Sequence, residues 1–391
     1  MAEALSVTSP LVSVIVVTLN GRHHLEHLFP SLKEQTLPAD QFEIILVDNG
    51  SGDDTIRWTA RHYPDVRILD LKTNTGFARA NNEGAKAARG SYIALINNDT
   101  RVEPNWLQAH LDTLERKDFP AGCSSGRLLN WAGDRVDFIR GILTFDGHAF
   151  QLHQGSRSGT LEEETQSSEL PFPCGGNMMI RRNVFLENGG FDENFFAYLE
   201  DVDFGWRFSL AGGTILYQPG ALAYHRGSAT GLELGMFKRA FLFERNAYMV
   251  AVKNMEESIL QALHPAILTA FMHRMDRVLT QVPTVHRDLM VDPYARNVKP
   301  AGTLRIRSDH ARNHLRAYHW IMANLRKIHD ARVEVQSRRT ISDHTYLEKF
   351  PLHLVPTYPG DDLLFSSPFF NALLPSRPVL VRRSLSRILA L

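Results

Sequence analysis

Polar side chains follow three apolar runs of the chain, at the points where strands are predicted to end. A carboxylate at a strand end stands on a rigid support, so it is well placed to hold a ligand. In an open parallel sheet, ligands bind beyond the carboxyl ends of the strands. We therefore expect the three polar stretches to converge on one crevice. They are Thr18-Leu19-Asn20, Asp48-Asn49 and Asn97-Asn98-Asp99.

Two common nucleotide-binding motifs are missing from the sequence. No Gly-x-Gly-x-x-Gly follows the first run, and no Gly-x-x-x-x-Gly-Lys-Ser/Thr occurs. The dinucleotide and P-loop interpretations thereby lose their main support. A nucleotide can still bind, with the Asp48 carboxylate accepting a hydrogen bond from a base or a ribose.

The first hundred residues alternate between predicted strands and predicted helices. Continuous β-branched runs are typical of strands buried on both faces. The three segments between them show leucines at helical spacing (22–35), an acidic helix start (51–63) and a small-residue helical pattern (76–90). This order predicts an α/β fold with a parallel sheet and helices on both faces. The predicted strands are 12–19, 42–51 (stopping at Asp48-Asn49-Gly50), 66–71 and 92–96, and the predicted helices are 22–35, 51–63 and 76–90.

Beyond residue 105 the alternation weakens. The polar, acidic stretch 151–169 predicts a flexible loop. Residues 173–185 predict a turn, a strand and a helix start, and 189–213 contain a helix with two carboxylates at its beginning. Residues 214–228 predict a strand, a turn and a second strand that ends at His225, and 236–256 predict a long helix.

Composition limits the class of protein. Lys+Arg and Asp+Glu number 43 each in 391 residues, which gives no argument for a nucleic-acid partner. Cys123 and Cys174 cannot form a disulfide framework, so we expect a reducing compartment. We see no secretory signal and no apolar run of about 18 residues, and we expect a cytoplasmic protein.

Five segments in order give the chain its clearest resemblance. They are VSVIVVTLN, EIILVDNGSGDDT, NTGFARANNEGAKAARGSYIALINNDT, CGGNMMIRRNVFLENGGFDENFFAYLEDVDFGWR and YHRGSATG, within residues 11–255. The chain resembles family 2 glycosyltransferases of the GT-A fold, close to the bacterial rhamnosyl- and galactofuranosyltransferase branch. The resemblance implies a Rossmann-like, mostly parallel central sheet in a catalytic domain of residues 1–255, with a mainly helical extension over 256–391.

The resemblance implies a divalent cation, Mg²⁺ or Mn²⁺, at the end of the fourth strand. Asp99 would be one ligand and His225 a second, and the cation would bridge the diphosphate of the donor. The sequence departs from the usual Asp-x-Asp pattern, because Asn97 replaces the first carboxylate. A structural alternative is that Asp99 or Thr100 caps a helix, with Glu103 as its capping-box partner.

The stretch LEDVDFGWR supplies the catalytic carboxylates of the resemblance. Transfer with inversion needs a carboxylate that takes the proton of the attacking hydroxyl. Asp201 matches the base of the family, and Glu200 would contact or orient the acceptor. The alternative is a merely acidic first helical turn. Asp203 and Arg207 are four residues apart and are expected to pair across the helix.

Further residues are predicted to contact the nucleotide-diphosphate sugar. Glycines in CGGN leave backbone amides open to a sugar or phosphate, and Arg79 either contacts the diphosphate or forms a surface ion pair. The predicted donor contacts are Thr18, Asn20, Asp48, Arg79, Asn97, Asn98, Gly175 and Gly176.

The extension contains basic amphipathic patterns at 314–328 and over the last residues, from Val381 to Leu389. Such helices either lie on an anionic membrane surface or pack on other helices, and a homo-oligomer interface stays open.

We thus expect an inverting glycosyltransferase that uses a dTDP-rhamnose or UDP-hexose type of donor. The acceptor would be a cell-surface glycan or a polyprenyl-diphosphate-linked sugar, with peripheral membrane contact. Two alternatives are a catalytically silent glycan-binding scaffold, favoured by Asn97, and a sugar nucleotidyltransferase. The second would carry a glycine-rich basic loop after the first strand, where this chain has TLNGRHHLEH.

Overall fold

The fold is described from a computed structural model of the chain. It covers residues 9–117, 122–227, 229–279, 308–358, 360–375 and 380–384. The pattern VLVRRSLSRILAL is therefore described only in part, since residues 385–391 lie outside these ranges.

Within these residues the strands form two sheets. They are β1 (Val12–Thr18), β2 (Phe42–Asp48), β3 (Arg67–Asp70), β4 (Tyr92–Asn97), β5 (Thr100–Val102), β6 (Cys123–Asn130), β7 (Val136–Phe138), β8 (Gly141–Thr144), β9 (Ala149–Gln151), β10 (Asn177–Arg181), β11 (Ile215–His225), β12 (Leu352–Leu354) and β13 (Leu380–Arg382).

The larger sheet runs β3-β2-β1-β4-β10-β6-β11-β5, and β7 pairs with β6. Strands β1 to β4 are mutually parallel, as predicted, and most apolar residues of β1, β2 and β4 are buried on both faces. The second half is mixed, because β10 runs antiparallel to both β4 and β6. The predicted α/β fold, with a mostly parallel half that begins the chain, is confirmed.

The helices cover the sheet and then build the second half of the chain. They are α1 (Arg22–Lys33), α2 (Thr55–His62), α3 (Phe77–Ala87), α4 (Trp106–Leu114), α5 (Arg182–Glu187), α6 (Glu200–Leu210), α7 (Ala229–Asn254), α8 (Glu257–Leu279), α9 (Ser308–Ala323), α10 (Leu325–Ser337), α11 (Asp343–Lys349), α12 (Asp361–Ser366) and α13 (Pro368–Ala372). In the described ranges, no helix combines the length and apolarity that a membrane crossing requires.

Helix α3 lies unusually close to the sheet because its inner face is made of small residues. A Cβ atom at Gly84 would come within 2.6 Å of the Ile15 side chain and 3.0 Å of that of Val47. Only glycine fits this contact without displacing a core residue. The close approach fixes α3 against the strands whose ends carry the predicted site.

The C-terminal residues add strands as well as helices. Strand β12 pairs in parallel with β8 and with β13, so residues 352–354 and 380–382 extend a sheet that begins at residue 141. The mainly helical character predicted for 256–391 is confirmed, and these two short strands were missed. The C-terminal region is thus connected to the first part by backbone hydrogen bonds as well as by side-chain packing.

Two local predictions and one structural alternative were wrong. Helix α4 begins at Trp106 and Thr100–Val102 is a strand, so Asp99 is not a helix cap and Glu103 accepts a hydrogen bond from Tyr224 instead. Residues Ile215–His225 form one strand, with a register shift between Gln218 and Leu222 rather than a turn. The loop 151–169 is anchored by Glu164, which is fully buried and bonded to Arg127.

Candidate functional site

A cavity of about 560 Å³ opens at the carboxyl ends of β1 and β4. Its walls come from strand ends, from the turn before β10, from the start of α6, from the end of β11 and from α7. The predicted residues that line it are Thr18, Asn97, Asn98, Asp99, Gly175, Gly176, Glu200, Asp201 and His225. The convergence expected from the sequence therefore holds for most of the predicted set.

Short contacts keep the strand ends in register. The Asn98 Nδ2 atom donates to Thr18 Oγ1 at 2.9 Å, across β1 and β4. Gly176 lies against Asn97, where an added Cβ would come within 2.4 Å of the amide. Part of the polar surface at the strand ends is therefore occupied by contacts within the protein.

Asp99 and His225 lie side by side, as the resemblance implies. His225 Nε2 is 3.2 Å from Asp99 Oδ1. Its Nδ1 is 2.6 Å from Oδ2 of Asp137, a residue on β7 that the sequence did not single out. The imidazole is therefore held between two carboxylates, all three groups lining the cavity.

Neighbouring charges outweigh burial in setting the pKa values of His225 and Asp99. Burial alone would lower the pKa of His225, but the charges and hydrogen bonds of Asp99 and Asp137 raise it well above its ordinary value. Burial would likewise raise the pKa of Asp99, and the neighbouring His225 outweighs it, so that pKa is lowered. The three side chains form a carboxylate–imidazole–carboxylate chain at the wall of the cavity.

The same atoms fit a divalent cation in part. Two adjacent ligands of an octahedral Mg²⁺, each about 2.1 Å from the metal, are separated by about 3.0 Å, and His225 Nε2 and Asp99 Oδ1 are 3.2 Å apart. In the described part of the chain, however, no cluster of three or more His, Cys, Asp and Glu side chains is arranged to hold a metal. The protein would supply two ligands and leave the others to water and substrate oxygens.

Glu200 and Asp201 begin α6 and face the same cavity. Asp201 accepts hydrogen bonds from the backbone N–H of Gly175 at 2.9 Å and of Val202 at 2.8 Å. Burial raises the pKa of Asp201 against the effect of these bonds. The pKa of Glu200 is raised well above its usual value by burial and by the charge of Asp201, and its Oε2 has no hydrogen-bond partner among the described residues.

A strained loop positions these two carboxylates. Phe196, Tyr198 and Leu199 have φ of 64°, 70° and 64°, a left-handed conformation that bulky residues rarely adopt. Such strained backbone conformations persist only where surrounding contacts stabilise them. The buried Asn246 of α7 supplies that hold, since its Nδ2 lies 2.9 Å and 2.6 Å from the carbonyl oxygens of Ala197 and Tyr198.

Three predicted donor contacts do not line the cavity. Asp48 is fully buried, and its Oδ2 accepts hydrogen bonds from the backbone N–H groups of Gly50 and Ser51. Asn20 Oδ1 accepts a hydrogen bond from the backbone of Gly52. Arg79 is 3.8 Å from Glu193, the surface ion pair that the sequence left open. Donor contacts by these three residues stay predictions.

Two neighbours of the predicted residues have structural roles. Asp203 pairs with Arg207 at 2.9 Å, as expected from their spacing. Cys174 lines the cavity, but burial raises the pKa of its thiol, which favours a filler over a nucleophile.

Sequence reasoning missed the second wall of the cavity. Phe196 and Tyr198 of the strained loop and Lys238, Arg239 and Phe243 of α7 line it. The tyrosine and Phe243 rings stack with centroids 4.6 Å apart. The two aromatic residues stand a few positions before the carboxylates in the sequence, which is the one signal that could have identified them.

Comparisons with known proteins find relatives of the first part of the chain. Residues 13–189 match the family model described as Glycosyl transferase family 2. The N-acetylglucosaminyl-diphospho-decaprenol L-rhamnosyltransferase of Mycobacterium tuberculosis is 29% identical over 243 residues, covering 56% of this chain and 78% of that protein. The O-antigen biosynthesis protein RfbC of Myxococcus xanthus is 29% identical over 229 residues, covering 57% of this chain and 18% of that protein.

A solved structure shares the fold. The crystal structure of GalNAc-T7 with UDP, GalNAc and Mn²⁺ has a TM-score of 0.51 and 17% identity. The match covers 67% of this chain and 52% of that one, so the chain spans about half the length of this structural neighbour. At this identity the likeness concerns the fold, which is the GT-A type predicted from the sequence.

Proposed function

We propose that the protein, whose residues 13–189 match the Glycosyl transferase family 2 model, is an inverting transferase. It moves a sugar from a nucleotide-diphosphate donor to a hydroxyl of a lipid-linked or cell-surface glycan. The observation that carries the proposal is the single cavity shared by the Asp99–His225 pair and the Glu200–Asp201 pair. The first pair suits a diphosphate leaving group and the second suits proton removal.

Asp99 and His225 would hold the divalent cation at the donor end. When bound, Mg²⁺ or Mn²⁺ neutralises charge that develops on the departing diphosphate. The structural neighbour solved with UDP and Mn²⁺ supports this assignment by fold alone. Asn97 contributes an amide at the rim of the cavity, in place of the carboxylate usual for the resemblance.

Asp201 acts as the general base. Its carboxylate takes the proton of the acceptor hydroxyl while that oxygen bonds to the anomeric carbon, and the bond from the anomeric carbon to the donor phosphate oxygen breaks with its electron pair leaving on the diphosphate. A raised pKa suits a base, because it brings proton affinity closer to the working pH. Glu200, whose raised pKa favours the protonated form, would donate a hydrogen bond that orients the acceptor.

We propose the classes of donor and acceptor from the similarity to the relatives. A dTDP-rhamnose type of donor is favoured by the similarity to a rhamnosyltransferase, and a UDP-hexose donor is the second option. That relative is named for a diphosphate-linked lipid acceptor, which supports an acceptor of the same class here. A silent scaffold would have no use for the desolvated Glu200–Asp201 pair, which favours the enzyme.

A peripheral membrane contact would bring the enzyme to such an acceptor. Four large apolar side chains are exposed on α9 and at the start of α10: Leu315, Tyr318, Met322 and Leu325. Residues 313–329 hold Arg316, Arg326 and Lys327 and no acidic residue. An exposed apolar stripe with basic flanks suits an anionic lipid surface. We place the reaction on the cytoplasmic side of that surface.

Vesicle sedimentation tests this contact. The protein should sediment with vesicles that contain anionic lipid, and Leu315→Glu/Met322→Glu should reduce that binding by at least about tenfold, because it buries charge in the interface. Equal sedimentation of both proteins, or dimerisation through this face in the absence of lipid, would contradict it.

The Asp201→Asn variant tests the mechanism. Removing a general base is expected to lower turnover by about 10²–10⁴-fold, while thermal-shift titration should show that a nucleotide sugar with Mn²⁺ still stabilises the variant. Asp65→Asn is a matched control, because the Asp65 side chain is 91% exposed and distant from the cavity lining. Unchanged turnover in Asp201→Asn would remove the mechanism.

A further inference from the structure

We infer that the cavity contains a second anion site, formed on α7 by Lys238 and Arg239, that binds the diphosphate of a lipid-linked acceptor. The inference rests on the proposed function, and it adds residues that select the acceptor. The donor diphosphate belongs to the Asp99–His225 end. The α7 site would hold a different phosphate group, on the acceptor side of the base.

The two cations lie over aromatic rings of the cavity wall. Lys238 Nζ is 4.4 Å from the centroid of the Phe196 ring. The guanidinium carbon of Arg239 is 5.4 Å from the ring of Tyr198 and 5.7 Å from that of Phe243. Aromatic faces hold a cation in place without neutralising it. The positive charge of Lys238 therefore stays available to a ligand.

Lys238 also lacks an acidic partner nearby. Among the ion pairs of the described residues, no carboxylate lies within 4.0 Å of its Nζ, and the side chain is exposed. A lysine that lines a cavity beside an aromatic face, with no carboxylate to satisfy it, is a suitable contact for a phosphate oxygen.

The position of this wall points to the acceptor. Phe196 and Tyr198 belong to the strained loop that ends at Glu200 and Asp201. An anion held on Lys238 would therefore lie next to the residues that carry the base, whereas the ends of β4 and β11 hold Asp99 and His225. A sugar joined to a lipid through a diphosphate would fit this arrangement. Its phosphate groups would lie at Lys238, and its attacking hydroxyl would lie at Asp201.

The aromatic wall adds a preference for a lipid diphosphate over a free one. Tyr198 and Phe243 stack at 4.6 Å beside Arg239, so apolar surface borders the cations. An acidic glycan chain could also use the two cations, but it would gain little from these rings. We therefore assign the site to a prenyl diphosphate group and treat the acidic glycan as an outcome of the test.

Two variants that should each lose binding of a different ligand test the site. Calorimetric titrations of the full chain use farnesyl diphosphate in EDTA as one probe, and UDP with Mn²⁺ as the other. Lys238→Ala should weaken farnesyl diphosphate binding about tenfold, the usual loss when one charged hydrogen bond is removed from a partly exposed site. It should leave UDP–Mn²⁺ binding unchanged. Asp99→Asn should show the opposite pattern.

Matched controls make the result specific. Lys117→Ala removes an exposed lysine outside the cavity lining and should bind both probes as the wild type does. Farnesol should bind much more weakly than its diphosphate. Lys238→Glu, which reverses the charge, should exceed the effect of Lys238→Ala, and circular dichroism should confirm that each variant is folded.

The remaining outcomes separate the two proposals. The inference is overturned if Lys238→Ala binds farnesyl diphosphate normally, if Asp99→Asn loses it, or if an acidic oligosaccharide binds the α7 site more tightly. Any of these results would leave donor binding and transfer intact. Absence of UDP–Mn²⁺ binding and of donor turnover in the wild type would instead contradict the proposed function.

Discussion

Two clusters of carboxylates and imidazoles among the described residues differ in how they are completed. The site cluster consists of Asp99, His225 and Asp137. The anchor cluster consists of Asp146, His148, Glu244, Arg274 and Asp361, where His148 is 3.2 Å from Asp146 and 3.4 Å from Glu244. Both clusters have strongly shifted pKa values.

The difference lies in what completes each cluster. Arg274 closes the anchor cluster, with contacts of 2.7 Å to Asp146 and 3.0 Å to Asp361. It thereby joins the turn after β8 to α8 and to the start of α12. All members of the site cluster line the cavity instead. A shifted pKa therefore does not identify a functional site by itself; opening to a cavity distinguishes the two.

Removing Arg274 should have the largest effect on stability. Arg274→Met leaves Asp146 and Asp361 buried without their counter-charge, which typically costs about 3–5 kcal/mol. Urea denaturation measures the loss. Arg61→Met, on the exposed face of α2, should change the unfolding free energy by less than about 0.5 kcal/mol. If Arg274→Met lowers the free energy of unfolding by less than about 1 kcal/mol, the anchor cluster does not stabilise the fold as proposed.

The anchor cluster should also make stability depend on pH. Burial would lower the pKa of His148, but Asp146 and Glu244 raise it to about 9, above its ordinary value of 6.5. Because the folded state holds the proton more tightly, the stabilisation is full below pH 6.5 and is lost as the pH rises towards 9. The loss should be on the order of 3 kcal/mol.

Comparison with His148→Gln isolates this effect. Arg274, His314 and Tyr358 also face the cluster, so only the difference between the two unfolding curves reports the histidine. That difference should shrink steadily between pH 6.5 and 9. Parallel curves over this window would show that the His148 proton does not contribute.

Asp137 should matter for metal binding rather than for folding. It holds the ring of His225 through Nδ1 at 2.6 Å and leaves Nε2 towards Asp99. Losing such a supporting carboxylate typically weakens metal affinity about 10–100-fold. Electron paramagnetic resonance of free Mn²⁺ measures the affinity of Asp137→Asn.

The adjacent Asp134 provides the control for this prediction. Its side chain is 63% exposed, and Asp134→Asn should bind Mn²⁺ as the wild type does. If Asp137→Asn also retains full affinity, or loses stability as Arg274→Met does, the distinction between the two clusters fails.

Sequence patterns predicted the site cluster in part and the anchor cluster not at all. Asp99 and His225 follow strands that periodicity and apolar runs reveal, so their convergence could be expected. Asp137 sits in a strand of three residues, Val136–Phe138, which is too short for any periodicity. The anchor cluster joins residues more than 200 positions apart, from Asp146 to Asp361, and no local pattern encodes such contacts.

The errors near Asp99 have a related cause. The sequence after Asp99 carries a capping-box pattern, yet Thr100–Val102 pairs with β11 and the helix starts later. Tertiary pairing overrode a local preference there. The two short C-terminal strands were missed for the same reason, because each depends on a partner far away in the chain.

Helix α7 connects the proposed anion site to the strained loop before Glu200. Lys238 faces the cavity at one point along it, and Asn246 grips the loop before Glu200 two turns further on. Inserting a single residue between them would rotate one relative to the other by about 100°. On the proposed function, substitutions along α7 should change which acceptors are used, whereas a change in its length should separate the anion site from the loop that carries Glu200 and Asp201.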